Sequence, residues 1–126
     1  MYRNLRFIYI TTKDKTEARS IAKTLLEEQL IACANMLDGM ESMYRWKGAI
    51  VEDHECVLIL KTPYHNVPQI TKRVKELHSY EVPCVISLTM TEQEGNAEYL
   101  DWIEQEAPHS ATEIRSGVPQ KPDQAP

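Results

Sequence analysis

Apolar and polar positions along the chain alternate with two different periods, and the switches between them mark out the elements. Residues 5–12, LRFIYITT, are rich in β-branched and aromatic side chains over a length that suits a strand. Asp14 with Glu17 three places later forms a capping-box pattern with Asp in the cap position. Ala18, Ile21, Ala22, Leu25 and Leu26 follow at helical spacing and predict the first helix. IACANML, residues 31–37, is apolar on both faces, as in a central strand, and runs into Asp38-Gly39. That dipeptide suits either a two-residue hairpin or a bulge within one long strand. The bulge is favoured, because alternation resumes beyond it. Met40, Ser42, Tyr44 and Trp46 then share one face, with Glu41, Met43, Arg45 and Lys47 on the other.

Gly48 is the predicted turn, and AIVEDHECVLILKT, residues 49–62, is the returning strand. Its inner half, CVLIL, is apolar on both faces, whereas EDHE, residues 52–55, is expected to be solvated or paired with another chain. Asn66 and Gln69 flank Val67-Pro68 at a helix start, and Val67, Ile70, Val74 and Leu77 form the stripe of a second helix ending near His78. CVISLTM, residues 84–90, predicts a fourth strand, and Asn96 opens a short helix bearing Tyr99, Leu100 and Ile103. The order is βαββαβ with a closing helix, the ferredoxin-like α+β arrangement. From residue 107 four of the seven prolines occur without any apolar period, so 1–106 is expected to be one domain and 107–126 a flexible proline-rich tail.

Length constrains the long hairpin. A strand over 31–47 extends about 55 Å at about 3.3 Å per residue, whereas a compact chain of this size is about 35 Å across. The ribbon must bend or protrude, and a lone protruding hairpin showing Met, Tyr and Trp is unstable and open to edge pairing. A partner subunit is the simplest remedy, and Tyr44 and Trp46 are the expected interface anchors.

Composition narrows the function. The chain has 126 residues, enough for one core, and no apolar run approaches the roughly 18–20 residues of a membrane span. With no signal-peptide pattern at the start, the chain is expected to be soluble and cytoplasmic. Cys33, Cys56 and Cys84 are odd in number and without zinc-ligand spacing, so buried free thiols are expected. A formal charge of −5 disfavours a nucleic-acid backbone as partner. The Tyr44-Arg45-Trp46-Lys47 interleaving is too short a footprint to reverse that. With four glycines and no nucleophile elbow, Walker loop or dinucleotide fingerprint, no enzymatic chemistry is predicted and no cofactor is required.

ACANMLDGMESMYRWKG, then ILKT, HSYEVP and GNAEYLDWI, together resemble the CutA1 divalent-cation tolerance family over residues 5 to about 106. The resemblance implies a ferredoxin-like protomer in a homotrimer built like the PII signalling proteins. It also implies a nonenzymatic role in the response to copper and other divalent metal ions. Metal-ligand positions proposed for the family fall here on Thr11, Leu77, His78 and Cys84, so His78 and Cys84 are the metal candidates, and Ser79 stands where a proline is usual. Each also has an ordinary reading: His78 as a helix-terminal residue in the dipole field, and Cys84 as an inert thiol. A PII-like small-molecule sensor or adaptor trimer is the alternative, with Lys61, Tyr80 and Glu81 as a pocket for a small anionic ligand. His54, among acids in EDHE, is read as an edge residue.

Overall fold

The computed structural model describes residues 4–91 and 93–108. β1 (Leu5–Thr12), α1 (Lys15–Glu27), β2 (Cys33–Trp46), β3 (Ala49–Pro63), α2 (Val67–Leu77), β4 (Val85–Thr89) and α3 (Ala97–Glu106) follow one another along the chain. The four strands form one antiparallel sheet in the order β2-β3-β1-β4, the predicted α+β arrangement.

Strand alternation decides what each sheet face holds. Ile8, Ile10, Leu58 and Leu60 point to one side, where Ala18, Ile21, Leu25, Ile70 and Val74 of α1 and α2 bury them in the main core. α1 begins where expected: Asp14 Oδ1 accepts the Glu17 amide at 2.8 Å, which satisfies one of the helix's free N–H groups. Leu26, expected on the apolar stripe, is 43% exposed, because the helix buries a narrower stripe against the sheet. Among the described residues, the other sheet face is covered only at one end. There Leu5, Met90, Leu100, Ile103 and Ala107 form a second cluster beneath α3, with Phe7 and Trp102 against it.

Asn66 does not cap α2. A 3-10 turn, Tyr64–Asn66, leads directly into the helix, and Asn66 makes no cap bond. Its buried side-chain amide instead faces Leu30 O at 3.1 Å, Thr62 Oγ1 at 3.2 Å and Ala107 O at 2.9 Å. It thereby ties α1's exit, β3 and the end of α3 together. The tail expected from 107 lies outside the described residues from 109 onward, while Ala107 itself is buried.

The bulge is present. Pairing steps from Leu37↔Val57 to Met40↔Glu55, and Gly39 sits at φ 79°, a left-handed conformation that suits glycine. Beyond it, Met40–Trp46 pairs only with residues 49–55, since β1 ends opposite Cys56. This two-stranded extension is about 23 Å long at about 3.3 Å per residue. Lys47 (φ 49°) and Gly48 (φ 82°) close it as a two-residue turn with both central residues left-handed.

Candidate functional site

The extension does not stand clear of the body. Between its inner face and residues 79–84 lies a cleft of about 740 Å³. Parity builds it: Tyr9 and Thr11 of β1 and Glu55 of β3 point away from α1 and α2 and form the floor. Met40, Ser42, Tyr44 and Trp46 form one wall, and Tyr80, Glu81, Val82 and Cys84 the other. Among the described residues its charged lining is Glu41, Glu55 and Glu81, with no lysine or arginine. At the rim, Lys47 reaches Glu81 at 3.6 Å, an exposed pair that solvent screens.

His78 holds the second wall in place. It follows α2 in an extended conformation, and its ring Nε2 lies 2.7 Å from Thr11 O while Tyr80 N–H donates to Nδ1 at 3.0 Å. Because an amide N–H occupies Nδ1, that nitrogen is the acceptor and Nε2 carries the proton donated to Thr11. The Tyr80 ring packs against the imidazole with centroids 4.7 Å apart. Glu17 adds a second clasp, accepting Ser79 N–H at 2.8 Å and Lys13 N–H at 3.2 Å. Partial burial works against its charge, but these bonds, chiefly from Ser79, prevail and hold its carboxyl below the ordinary value.

Tyr80 spans the floor, donating its hydroxyl to Glu55 Oε2 at 2.8 Å. Burial, then the Glu55 carboxylate, push the phenol well above its usual range, so it remains a donor. Tyr9 similarly directs its hydroxyl to Met40 Sδ at 3.7 Å. Burial and then the charge of Glu55 raise the Cys84 thiol, and Thr11 lies beside it. The protonated thiol is a poor metal ligand.

The residues expected from sequence are thus only partly united. Thr11, His78 and Cys84 converge, since both of the latter meet Thr11. Yet both ring nitrogens of His78 are engaged, and no group of three His, Cys, Asp or Glu side chains among the described residues is arranged to hold a metal ion. The described residues of one chain do not fit a metal centre. Tyr80 and Glu81 line the cleft, but Lys61 does not. It pairs with Phe7 near the start of β1 and donates to Tyr99 Oη at 3.0 Å. Six residues of strand, about 20 Å, separate it from Glu55. Tyr44 and Trp46 stand on the ribbon wall, 40% and 39% exposed.

Glu55 and Tyr9 are the residues that sequence reasoning passed over. Glu55 belongs to the stretch expected to be solvated, and it is 7% exposed, while Glu52, Asp53 and His54 are exposed. Its parity with Val57 and Ile59 was the available signal, because it places Glu55 on the face of Tyr9.

Comparison with known proteins agrees with this architecture. The family model described as CutA1 divalent ion tolerance protein matches residues 6–106. A "Divalent-cation tolerance protein CutA" of Thermus thermophilus is 48% identical over 96 residues, covering 76% of this chain and 91% of that protein. The human "Protein CutA" is 38% identical over 97 residues, or 77% of this chain, which spans only 53% of that relative's length. Among solved structures, the T. thermophilus Cut A1 protein superposes with TM-score 0.78 at 45% identity, covering 82% of this chain and 98% of that one. CutA1 from Oryza sativa gives 0.81 at 34% identity over 86% and 97%.

Proposed function

The chain belongs to the CutA1 divalent ion tolerance family, and from that premise we propose that it serves divalent-cation tolerance as a nonenzymatic homotrimer that binds copper or another divalent metal only weakly. The observation that carries the reading is the pattern of exposed apolar groups. Leu37, Ile86 and Leu88 are 50–64% exposed on the uncovered sheet face, and Met43, Tyr44, Trp46 and Ile50 are exposed along the ribbon. So many large apolar side chains left in water are costly, and a two-stranded ribbon is marginal alone. Neighbouring copies that bury both remove the cost. The engaged imidazole of His78 and the protonated thiol of Cys84 support weak rather than tight metal binding. The three unpaired cysteines, Cys33, Cys56 and Cys84, favour a reducing compartment such as the cytoplasm. Among the described residues no helix is long and apolar enough to cross a membrane.

Light scattering tests the assembly: the wild type is expected to be a trimer and Trp46→Ala to dissociate at least tenfold more readily. A monomeric wild type would sink the reading. Calorimetry with Cu(II), Cu(I) and Zn(II) tests the metal. Submicromolar binding that His78→Ala abolishes would show that the imidazole is a ligand after all.

The cleft favours a second reading, a PII-like trimer that senses a small molecule. Its volume falls within the roughly 300–1,000 Å³ of ligand pockets, and aromatic walls with a few convergent polar groups are their usual lining.

A further inference from the structure

The chemistry of the cleft floor is more specific than its shape. Glu55 is 7% exposed, and the Tyr80 hydroxyl on Oε2 is the one donor that its carboxylate receives from the described residues. A carboxylate offers about four acceptor sites, so among the described residues this buried group lacks further donors and a paired cation. Taking a charge out of water without such compensation is costly. Tyr9 and Tyr44 line the same space, and aromatic rings attract cations at their electron-rich faces.

We propose that the floor of the cleft, centred on Glu55, is a seat for a small organic amine with an apolar body. The proposal rests on the ligand-sensing reading above and names its ligand class. An ammonium group supplies the missing countercharge and N–H donors at Glu55, while tyrosine rings and Met40 enclose the body. An anion, the class expected when Lys61 was placed here, meets carboxylates and no lining cation, since Lys61 is committed to Tyr99. A bare divalent ion finds too few ligands among the described residues of one chain. The seat lies on the sheet face and ribbon wall that neighbouring copies cover in the assembly proposed above, so it sits at the subunit interface.

Three probes that share a phenyl body but differ in charge test this on the full-length protein: 2-phenylethylamine, 2-phenylethanol and phenylacetate. Calorimetry or saturation-transfer NMR is expected to show the amine binding at least tenfold more tightly than the alcohol, with phenylacetate weakest. Glu55→Gln removes the charge and keeps the shape, and should cost at least tenfold in amine binding. Glu104→Gln, exposed on α3 and outside the cleft lining, should cost less than twofold. Equal affinity for the three probes overturns the proposal, as does unchanged amine binding in a folded Glu55→Gln. Should that variant fail to fold, the charge series on the wild type decides alone. Light scattering on the same samples separates the two readings: a trimer without amine preference defeats the seat and leaves the assembly standing, whereas a monomer that prefers the amine does the reverse.

Discussion

Replacing His78 by alanine is the sharpest probe of how the cleft wall is held. The change removes the ring that joins the end of β1 to residues 79–84, orphaning Thr11 C=O and Tyr80 N–H together. Each lost hydrogen bond costs about 1 kcal/mol net, and more where the abandoned partner stays buried. The Thr11 carbonyl is buried and the Tyr80 amide half-buried, and the ring contact with Tyr80 adds about 0.5–1 kcal/mol. The expected loss is therefore about 2–4 kcal/mol. His78→Gln should recover about half of it, because its terminal amide can still donate to Thr11 O but offers nothing well placed for Tyr80 N–H. Urea unfolding followed by tryptophan fluorescence measures both, at one protomer concentration so that assembly does not confound the comparison. Amide exchange over residues 79–84 should accelerate in the alanine variant. A loss below about 0.5 kcal/mol in His78→Ala, or a glutamine variant no better than alanine, would show that the imidazole does not clasp the wall.

Three further outcomes follow from local geometry. Glu17 titrates below its ordinary value of 4.5 in the folded state, so its stabilising share is present above that value and is lost as pH falls through the lower folded one. Acid unfolding should therefore be steeper below pH 4.5 in the wild type than in Glu17→Gln, and parallel curves would contradict the clasp. Gly39→Ala meets no atom within 4 Å but must hold φ 79°, so its cost is conformational, about 1–2 kcal/mol by thermal or urea unfolding; a neutral variant would mean that the bulge relaxes. Asn66→Ala should destabilise by about 2–4 kcal/mol, since its 1%-exposed amide serves carbonyls of two separate segments as well as Thr62. Unfolding no easier than in the wild type would show that those carbonyls find other donors.

Much of the fold was legible because its signals are local. The cap at Asp14, the stripe Ala18-Ile21-Ala22-Leu25 and the apolar run 56–60 each state their element within one window, and each element formed where expected. The bulge was legible too, since alternation resumes after Gly39 and glycine accepts the left-handed conformation found there. Asn66 stands at the helix start that the sequence marks, but the use of its side chain was not legible. Its place before a helix looks like a cap, and only the approach of Leu30, Thr62 and Ala107 from elsewhere makes a buried crosslink the better use of its amide.

The candidate site divides along the same line. Sequence by itself determined the family, the sheet with its helices, and the face on which Tyr44 and Trp46 lie, because period, capping and turn chemistry are properties of neighbouring residues. Tertiary structure alone decided which charged groups meet. Register sets Lys61 against Phe7 and Tyr99, far from Tyr80, and sets Glu55 beneath the Tyr80 hydroxyl. It also turned His78 from a metal candidate or helix-terminal residue into a bonded clasp. Burial and hydrogen bonding depend on residues distant in the chain, so the chemistry of a side chain is settled only when the sheet closes around it.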